Sequence, residues 1–242
     1  MSGPFGSTPH NLFNTSGGFY NGIITKSLRN FNDSGDNGTA LRYSPSSVSS
    51  ATDWSMNVWF KVNHQLNLYN SSYSQHFITT RDGTSGSDLG GILFGGSSAG
   101  SAGDCISIYT TNSETIVLRT NPILRDMTGW VNLHVKADID NSTNSSKLRI
   151  YLNGTECTYQ TDNRGSYTAI GGFAAGTDWT VGNYYNSTRY ASDCQLAHFH
   201  YCDGQKYDPT EFIEQKSGVW IPKEADVSYG DAGFFLKFEQ TG

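Results

Sequence analysis

The 242-residue chain predicts an all-β protein, a two-sheet antiparallel β-sandwich of the jelly-roll kind. Three observations predict it. The composition favours strands and turns over helices: 27 Gly, 14 Tyr and 13 Phe stand beside many Ser, Thr and Asn, and only 16% of residues are charged. Apolar residues alternate with polar ones in about ten to twelve short segments. Gly, Asn, Asp and Ser turns separate those segments, and strands this numerous bury their apolar faces by pairing into two sheets packed face to face. A chain of this length holds a full core in one domain without staples.

Residues 1–24 are a Gly-, Ser-, Asn- and Pro-rich stretch with isolated aromatics (Phe5, Phe13, Phe19, Tyr20), expected to be an arm that docks on a neighbouring subunit or a host surface. The sandwich occupies residues 25–242. Alternation begins at "ALRYSP" and is clearest in "WSMNVWFKV", with Trp54, Met56, Val58, Phe60 and Val62 on one face and Ser55, Asn57, Trp59 and Lys61 on the other. "HFITT", "GGILFGG", "CISIYTT" and "TIVLRT" follow as strands. "WVNLHVKADI" and "KLRIYLNGTECTY" form a pair across the loop "DNSTNSS", and Asn153-Gly154 marks a tight hairpin. "WTVGNYY", "CQLAHFHY" and "GFFLKFE" complete the set, and the only helical signal is a turn at "DPTEFIEQKSG". The predicted core is Trp54, Met56, Val58, Phe60, Leu133, Val135, Ile150, Leu152, Phe199, Tyr201, Trp220, Phe234, Leu236 and Phe238.

Composition excludes several function classes. The net charge of −6, with 16 basic residues spread thinly, argues against a nucleic-acid surface. The start "MSGPFGSTPHNLFNTSGG" has neither a basic nor an apolar leader region, and no stretch approaches the roughly 18 apolar residues of a membrane span, so neither export nor membrane insertion is expected. Four cysteines (Cys105, Cys157, Cys194, Cys202) in a chain this long are not a disulfide framework and read as mostly buried thiols.

The segments "SLRNFNDSGDNGTALRYSP", "WSMNVWFKV", "GWVNLHVKADIDNSTNSSKLRIYLNGTE", "VGNYYNSTRYASDCQLAHFHYCDGQKYDPTEF", "GVWIPK" and "YGDAGFFLKF", in that order, resemble the laminin-G-like, concanavalin A-like lectin jelly-roll domain of virion structural proteins of marine tailed phages. The resemblance runs from about residue 25 to 240. It implies a non-enzymatic particle protein, a capsid decoration, fibre or knob, that assembles in the host cytoplasm with other virion proteins. It also implies contact with host-surface glycans and a homo-oligomer, for which a trimer is expected. The rival class is a stand-alone carbohydrate-binding lectin dependent on calcium.

Candidate sites follow. Alternation along "LAHFHYC" places Leu196, His198, His200 and Cys202 on one face and Ala197, Phe199 and Tyr201 on the other. Two histidines and a cysteine there are chemically able to hold zinc, although no further ligand lies at a characteristic spacing and packing is the favoured reading. Asp203-Gly204 and Asp208-Pro209 read as turns, with the Asp208 side chain capping the next amides. By analogy with the family, calcium has candidate ligands in "NDSGDNGT" (Asn32, Asp33, Asp36, Asn37), "RDGTSGSD" (Asp82, Asp88) and "ADIDN" (Asp138, Asp140). No other cofactor is expected. Asp138 and Asp140, about 7 Å apart along a strand end, also lie within the range of paired glycosidase carboxylates. The E-x-D-x-x-E strand of glycosidases on this fold is not completed, because "EADVSY" has Tyr229 in place of the second Glu. Sugar contact is expected in "GTDWTVGNYYNSTRY", where Trp179, Tyr184, Tyr185 and Tyr190 stand beside Asn183, Asn186 and Arg189, since aromatic faces cover pyranoses and amides hold their hydroxyls.

Overall fold

The period-2 runs form strands wherever an apolar face is available to bury. The computed structural model describes residues 21–29, 41–62, 75–83, 87–94, 105–110, 115–121, 129–167, 173–182 and 194–239. In chain order the strands are β1 (Leu28–Arg29), β2 (Leu41–Tyr43), β3 (Asp53–Val62), β4 (Gln75–Asp82), β5 (Asp88–Phe94), β6 (Ile106–Thr110), β7 (Thr115–Thr120) and β8 (Val131–Asp138). They continue with β9 (Leu148–Leu152), β10 (Thr155–Glu156), β11 (Tyr159–Asp162), β12 (Thr177–Val181), β13 (Cys194–Asp203), β14 (Ile213–Lys216), β15 (Val219–Pro222) and β16 (Phe234–Leu236). Three short 3-10 turns are the only helical structure among the described residues.

Two antiparallel seven-stranded sheets pack as the predicted sandwich. The first runs β1-β13-β3-β8-β9-β10, with β16 also paired to β13; the second runs β11-β7-β6-β5-β4-β12-β2. Register in the first sheet lines Tyr201, Met56, Val135 and Ile150 across four strands on the inner face. Trp54 and Tyr201 of this sheet meet Trp179 of the other and the loop residue Phe173, with ring centroids 4.9–5.8 Å apart. Four aromatic side chains buried in one contact cluster, each worth about 1.5–3 kcal/mol of transfer free energy, fasten the sheets together. Of the predicted core, Leu152, Phe234, Leu236 and Phe238 are only partly buried against the inner cluster, and Trp220 belongs to a different one.

That second cluster lies on the outer face of the first sheet. Trp59, Ala197 and Cys202 are buried there under Ile24, Phe212 and Ile213, with Tyr207, Trp220 and Tyr229 packed around them. The covering residues come mainly from the segment after β13, which includes the β14–β15 hairpin. Residues 21–24, expected to belong to an arm, join this layer: Ile24 is buried, and Asn21 Nδ2 donates to the Pro222 carbonyl at 2.6 Å. Residues 1–20 lie outside the described residues.

Two local features set this arrangement. At Asn153-Gly154 both residues adopt positive φ (45° and 70°), as a two-residue primed turn requires. A Cβ on Gly154 would come within 2.7 Å of the Trp220 indole, so the turn also seats the second layer. In β13 the pairing with β3 shifts between Ala197 and His200, and His198 has φ 45°. This bulge inserts one residue and reverses the alternation: Leu196 faces the inner core, Ala197 faces out, then Phe199 faces in and His200 out. The predicted shared face of Leu196, His198, His200 and Cys202 is thereby corrected, since only His200 and Cys202 alternate regularly on the outer side.

The "YCDGQKYDPTEF" stretch is structural. Asp203 is 1% exposed, and its carboxylate accepts the backbone N–H groups of Ser49, Ser50 (3.0 Å) and Ala232 (3.1 Å). Gly230 sits against it with φ +71°, where a Cβ would lie 2.2 Å from the Asp203 carbonyl oxygen. Asp208 differs from expectation: its side chain caps no amide and instead accepts from Lys136 Nζ at 2.8 Å. Pro209–Glu211 forms a 3-10 turn, and the next residues form a hairpin rather than a helix. Asp203→Ala leaves three backbone donors without their charged acceptor and is expected to lower unfolding stability by about 3 kcal/mol, with Asp203→Asn losing roughly half as much, read from denaturant midpoints.

Candidate functional site

Along one edge of β13 two half-strands lie end to end: β1 pairs with Gln195 and Leu196, and β16 pairs with Phe199 to Tyr201. The bulge at His198 falls at their junction. A cavity of about 600 Å³ opens there, between this edge and the first residue of β2, lined by Ser27, Leu28, Arg29, Leu41 and the run Phe235–Glu239. Its lining combines the apolar Leu28, Leu41, Phe235, Leu236 and Phe238 with the charged Arg29, Lys237 and Glu239, the last of which accepts from Thr25 Oγ1 at 3.1 Å. Lys237 Nζ lies 5.4 Å from the Phe235 ring centroid. Phe238 holds φ at 57°, a strained value for a bulky side chain, and strain of this kind clusters at functional positions. Sequence reasoning missed this site because its walls come from three distant pieces of chain with no shared motif.

The sequence-predicted site residues are placed differently. Trp179 is 1% exposed, its indole N–H donates to Thr177 Oγ1 at 2.8 Å, and its rings pack on Tyr43, Phe173 and Tyr201. The aromatic face expected for a sugar is therefore committed to the core, since β12 points this side chain between the sheets. Asn183, Tyr184, Tyr185, Asn186, Arg189 and Tyr190 lie outside the described residues, as do Asn32, Asp33, Asp36 and Asn37.

Asp138 closes β8 and Asp140 lies in the turn after it, and they do not converge on one point. Lys206 Nζ sits 3.0 Å from Asp138 Oδ1 and 3.4 Å from Asp53 Oδ2, while Asn141 Nδ2 donates to Asp138 Oδ2 at 2.8 Å. The Asn141 hydrogen bond, followed by Lys206, holds the Asp138 carboxyl below its ordinary value. Asp140 accepts from Thr52 Oγ1 at 2.9 Å. A lysine ammonium thus provides the cation beside Asp138. Asp82 ends β4, where its backbone N–H donates to the Ser87 carbonyl.

The three histidines of the first sheet also resolve. On its outer face, register aligns Phe235, His200, Asn57, His134 and Tyr151 across five strands. His134 Nε2 donates to the Tyr207 carbonyl (3.1 Å), and Asn57 Nδ2 donates to His134 Nδ1 (3.3 Å). His200 Nδ1 is hydrogen-bonded to the Tyr229 hydroxyl at 2.9 Å, and its ring stacks on Phe235 with centroids 3.9 Å apart. Among the described residues no group of three His, Cys, Asp or Glu side chains is arranged to hold a metal ion, His198, His200 and Cys202 included. No disulfide joins the four cysteines; Cys105, Cys194 and Cys202 are buried, and burial pushes the Cys157 and Cys202 thiols up to about 12.

No helix of the described residues is long and apolar enough to cross a membrane. No family model matches the chain, and no curated protein matches it. Among solved structures, a point mutant of HCR D/C VPI 5995 aligns with 76% of this chain and 41% of its own, at 11% identity and a TM-score of 0.47. The botulinum neurotoxin type G receptor binding domain aligns over 77% and 44%, at 14% identity and TM-score 0.41. Full-length tailspike protein 2 from Escherichia coli O157:H7 bacteriophage CAB120 aligns over 77% and 23%, at 14% identity and TM-score 0.45. The chain spans less than half the length of each of these proteins.

Thiol chemistry offers a direct check on the burial described above. At pH 8 the native protein is expected to react with iodoacetamide at Cys157 and Cys202 on the order of a thousandfold more slowly than an unfolded cysteine, with all four residues becoming reactive in denaturant. Rapid modification of Cys202 in the native protein at that pH would contradict the described layer.

Proposed function

We propose that the chain is a non-enzymatic structural component of a phage particle that contacts host-surface glycans through the groove beside the β13 bulge. The observation that carries this reading is the groove itself: the apolar lining from Leu28, Leu41, Phe235 and Phe238 suits the face of a sugar ring, and the charged Arg29, Lys237 and Glu239 suit its substituents. The sequence resemblance to virion domains supports the particle role. The internally committed carboxylates at Asp53, Asp138 and Asp162 fit a module that binds rather than cleaves. The polar and aromatic stretch Asn183, Tyr184, Tyr185, Asn186, Arg189 and Tyr190 follows β12 directly and is proposed as a second contact. The particle protein is proposed to act as a homo-oligomer, a trimer, in company with other virion proteins.

Binding of the purified protein to host cells and a glycan array, with and without EDTA, tests the proposal. Saturable binding is expected, and Lys237→Glu or Leu41→Asp is expected to weaken it about tenfold, equivalent to about 1.4 kcal/mol. Binding lost in EDTA would instead favour the calcium-dependent lectin. Absence of binding to cells and glycans alike would leave a scaffold role and overturn the glycan reading.

A further inference from the structure

The outer face of the first sheet combines burial with polarity in an unusual way. Asn57, Asn132, His134 and His200 are all at most 3% exposed, and the segment from Gln205 to Gly233 covers them. Asn57 and Asn132 exchange side-chain amide hydrogen bonds (3.2 and 3.0 Å), which fixes the Asn57 amide with its N–H toward His134. The covering segment is joined to the imidazoles at two points, Tyr207 to His134 and Tyr229 to His200, and Phe212 packs on both rings with centroids 5.5 and 5.0 Å away.

We propose that this segment is an acid-released cap: protonation of His134 and His200 detaches residues 205–229 from the sheet and uncovers the outer face together with Cys202, while the return through Ala232 stays tied to Asp203 and the inner core.

The chemistry at His134 is specific. Its Nε2 must carry the proton that the Tyr207 carbonyl accepts, so Nδ1 is the acceptor for Asn57. A second proton on Nδ1 sets two donors face to face, and rotating the Asn57 amide to relieve this breaks its reciprocal pair with Asn132. Facing His134 are Asn57 from β3, Lys136 from its own strand, Tyr151 from β9, and Tyr207, Asp208 and Phe212 from the cap. Asp208 favours its proton and Lys136 opposes it, and desolvation outweighs both, holding the group at about 4. Around His200 stand Tyr229 and Phe212 from the cap, Phe235 and Lys237 from β16 and its extension, and His198 and Cys202 from its own strand. Desolvation first, then His198, His134 and Lys237, push it well below the ordinary histidine value. Burial holds His198 at about 4, with Lys237 also opposing its proton and Glu239 favouring it.

The direction follows from linkage. With the cap open, each imidazole regains a value of about 6.5, so the closed state is fully favoured above that pH and loses ground as pH falls toward the closed-state values. At pH 5 the opening equilibrium of two such groups shifts about thirtyfold each, or about a thousandfold together. The inner core contains no histidine from this set, which separates cap opening from collapse of the sandwich.

Cysteine accessibility distinguishes the two. Cys202 lies beneath the cap, whereas Cys194 packs in the inner core and Cys105 is buried elsewhere. The full chain is treated with dipyridyl disulfide, which reacts at acid pH, and modification is mapped by peptide mass spectrometry. Between pH 7 and pH 5, Cys202 labelling is expected to accelerate by about a thousandfold while Cys105 and Cys194 stay protected. His134→Gln with His200→Asn, checked for native circular dichroism at pH 7, is expected to flatten that response. The proposal is overturned by protection of Cys202 at pH 5, by exposure of Cys202 only together with Cys105 and Cys194, or by a folded double variant that labels like the parent.

Discussion

Everything in this molecule depends on three adjacent strands, β13, β3 and β8, being buried on both faces. In an ordinary sandwich one face of each sheet is apolar and the other meets water. Here Tyr201, Met56 and Val135 form a row toward the opposing sheet, while the next row, His200, Asn57 and His134, is enclosed by a second layer of the same chain. Polar groups placed in such an interior must find their partners there, because an unpaired one costs its full desolvation. The row meets that demand with one arrangement of donors and acceptors, running from the Asn57–Asn132 pair through His134 to the Tyr207 carbonyl.

The remaining features serve this double burial. The bulge at His198 sets which side chains of β13 face each interior, so it aligns Tyr201 with the inner row and His200 with the outer one. Asp203 ends the same strand by gathering backbone amides from the approach to β3 and from the chain just before β16. The cap is thereby tied at its return, and the edge where β1 and β16 meet is left as the open groove.

Much of the sandwich was legible from alternation alone. "WSMNVWFKV" and its partner "WVNLHVKADI" pair as expected, with Met56 opposite Val135, and Asn153-Gly154 makes the turn its dihedral preferences demand. What escaped the sequence depends on distant chain. Ser55, Asn57 and Lys61 read as a wet face because nothing local announces that Phe212 and Ile213 will cover their neighbours. The bulge carries no glycine or proline to mark it; a histidine takes the left-handed conformation. Trp179 resembles a sugar-stacking residue because its neighbours in sequence are polar, yet strand direction sends it to the core. Asp208 looks like a cap until Lys136, brought close by β8, supplies a stronger partner. The groove follows the same logic, since Leu28, Leu41 and Leu236 become neighbours only through sheet assembly.

The sandwich's first sheet conceals a neutral polar interior beneath its own C-terminal segment, leaving a groove open at its edge. Long-range proton–nitrogen correlation spectra of the histidine rings at pH 7 test this arrangement most directly. The expected result is His134 as a neutral imidazole protonated at Nε2 alone, with an unprotonated Nδ1. An imidazolium at His134, or a neutral ring protonated at Nδ1, would contradict the hydrogen-bond arrangement on which the double burial rests.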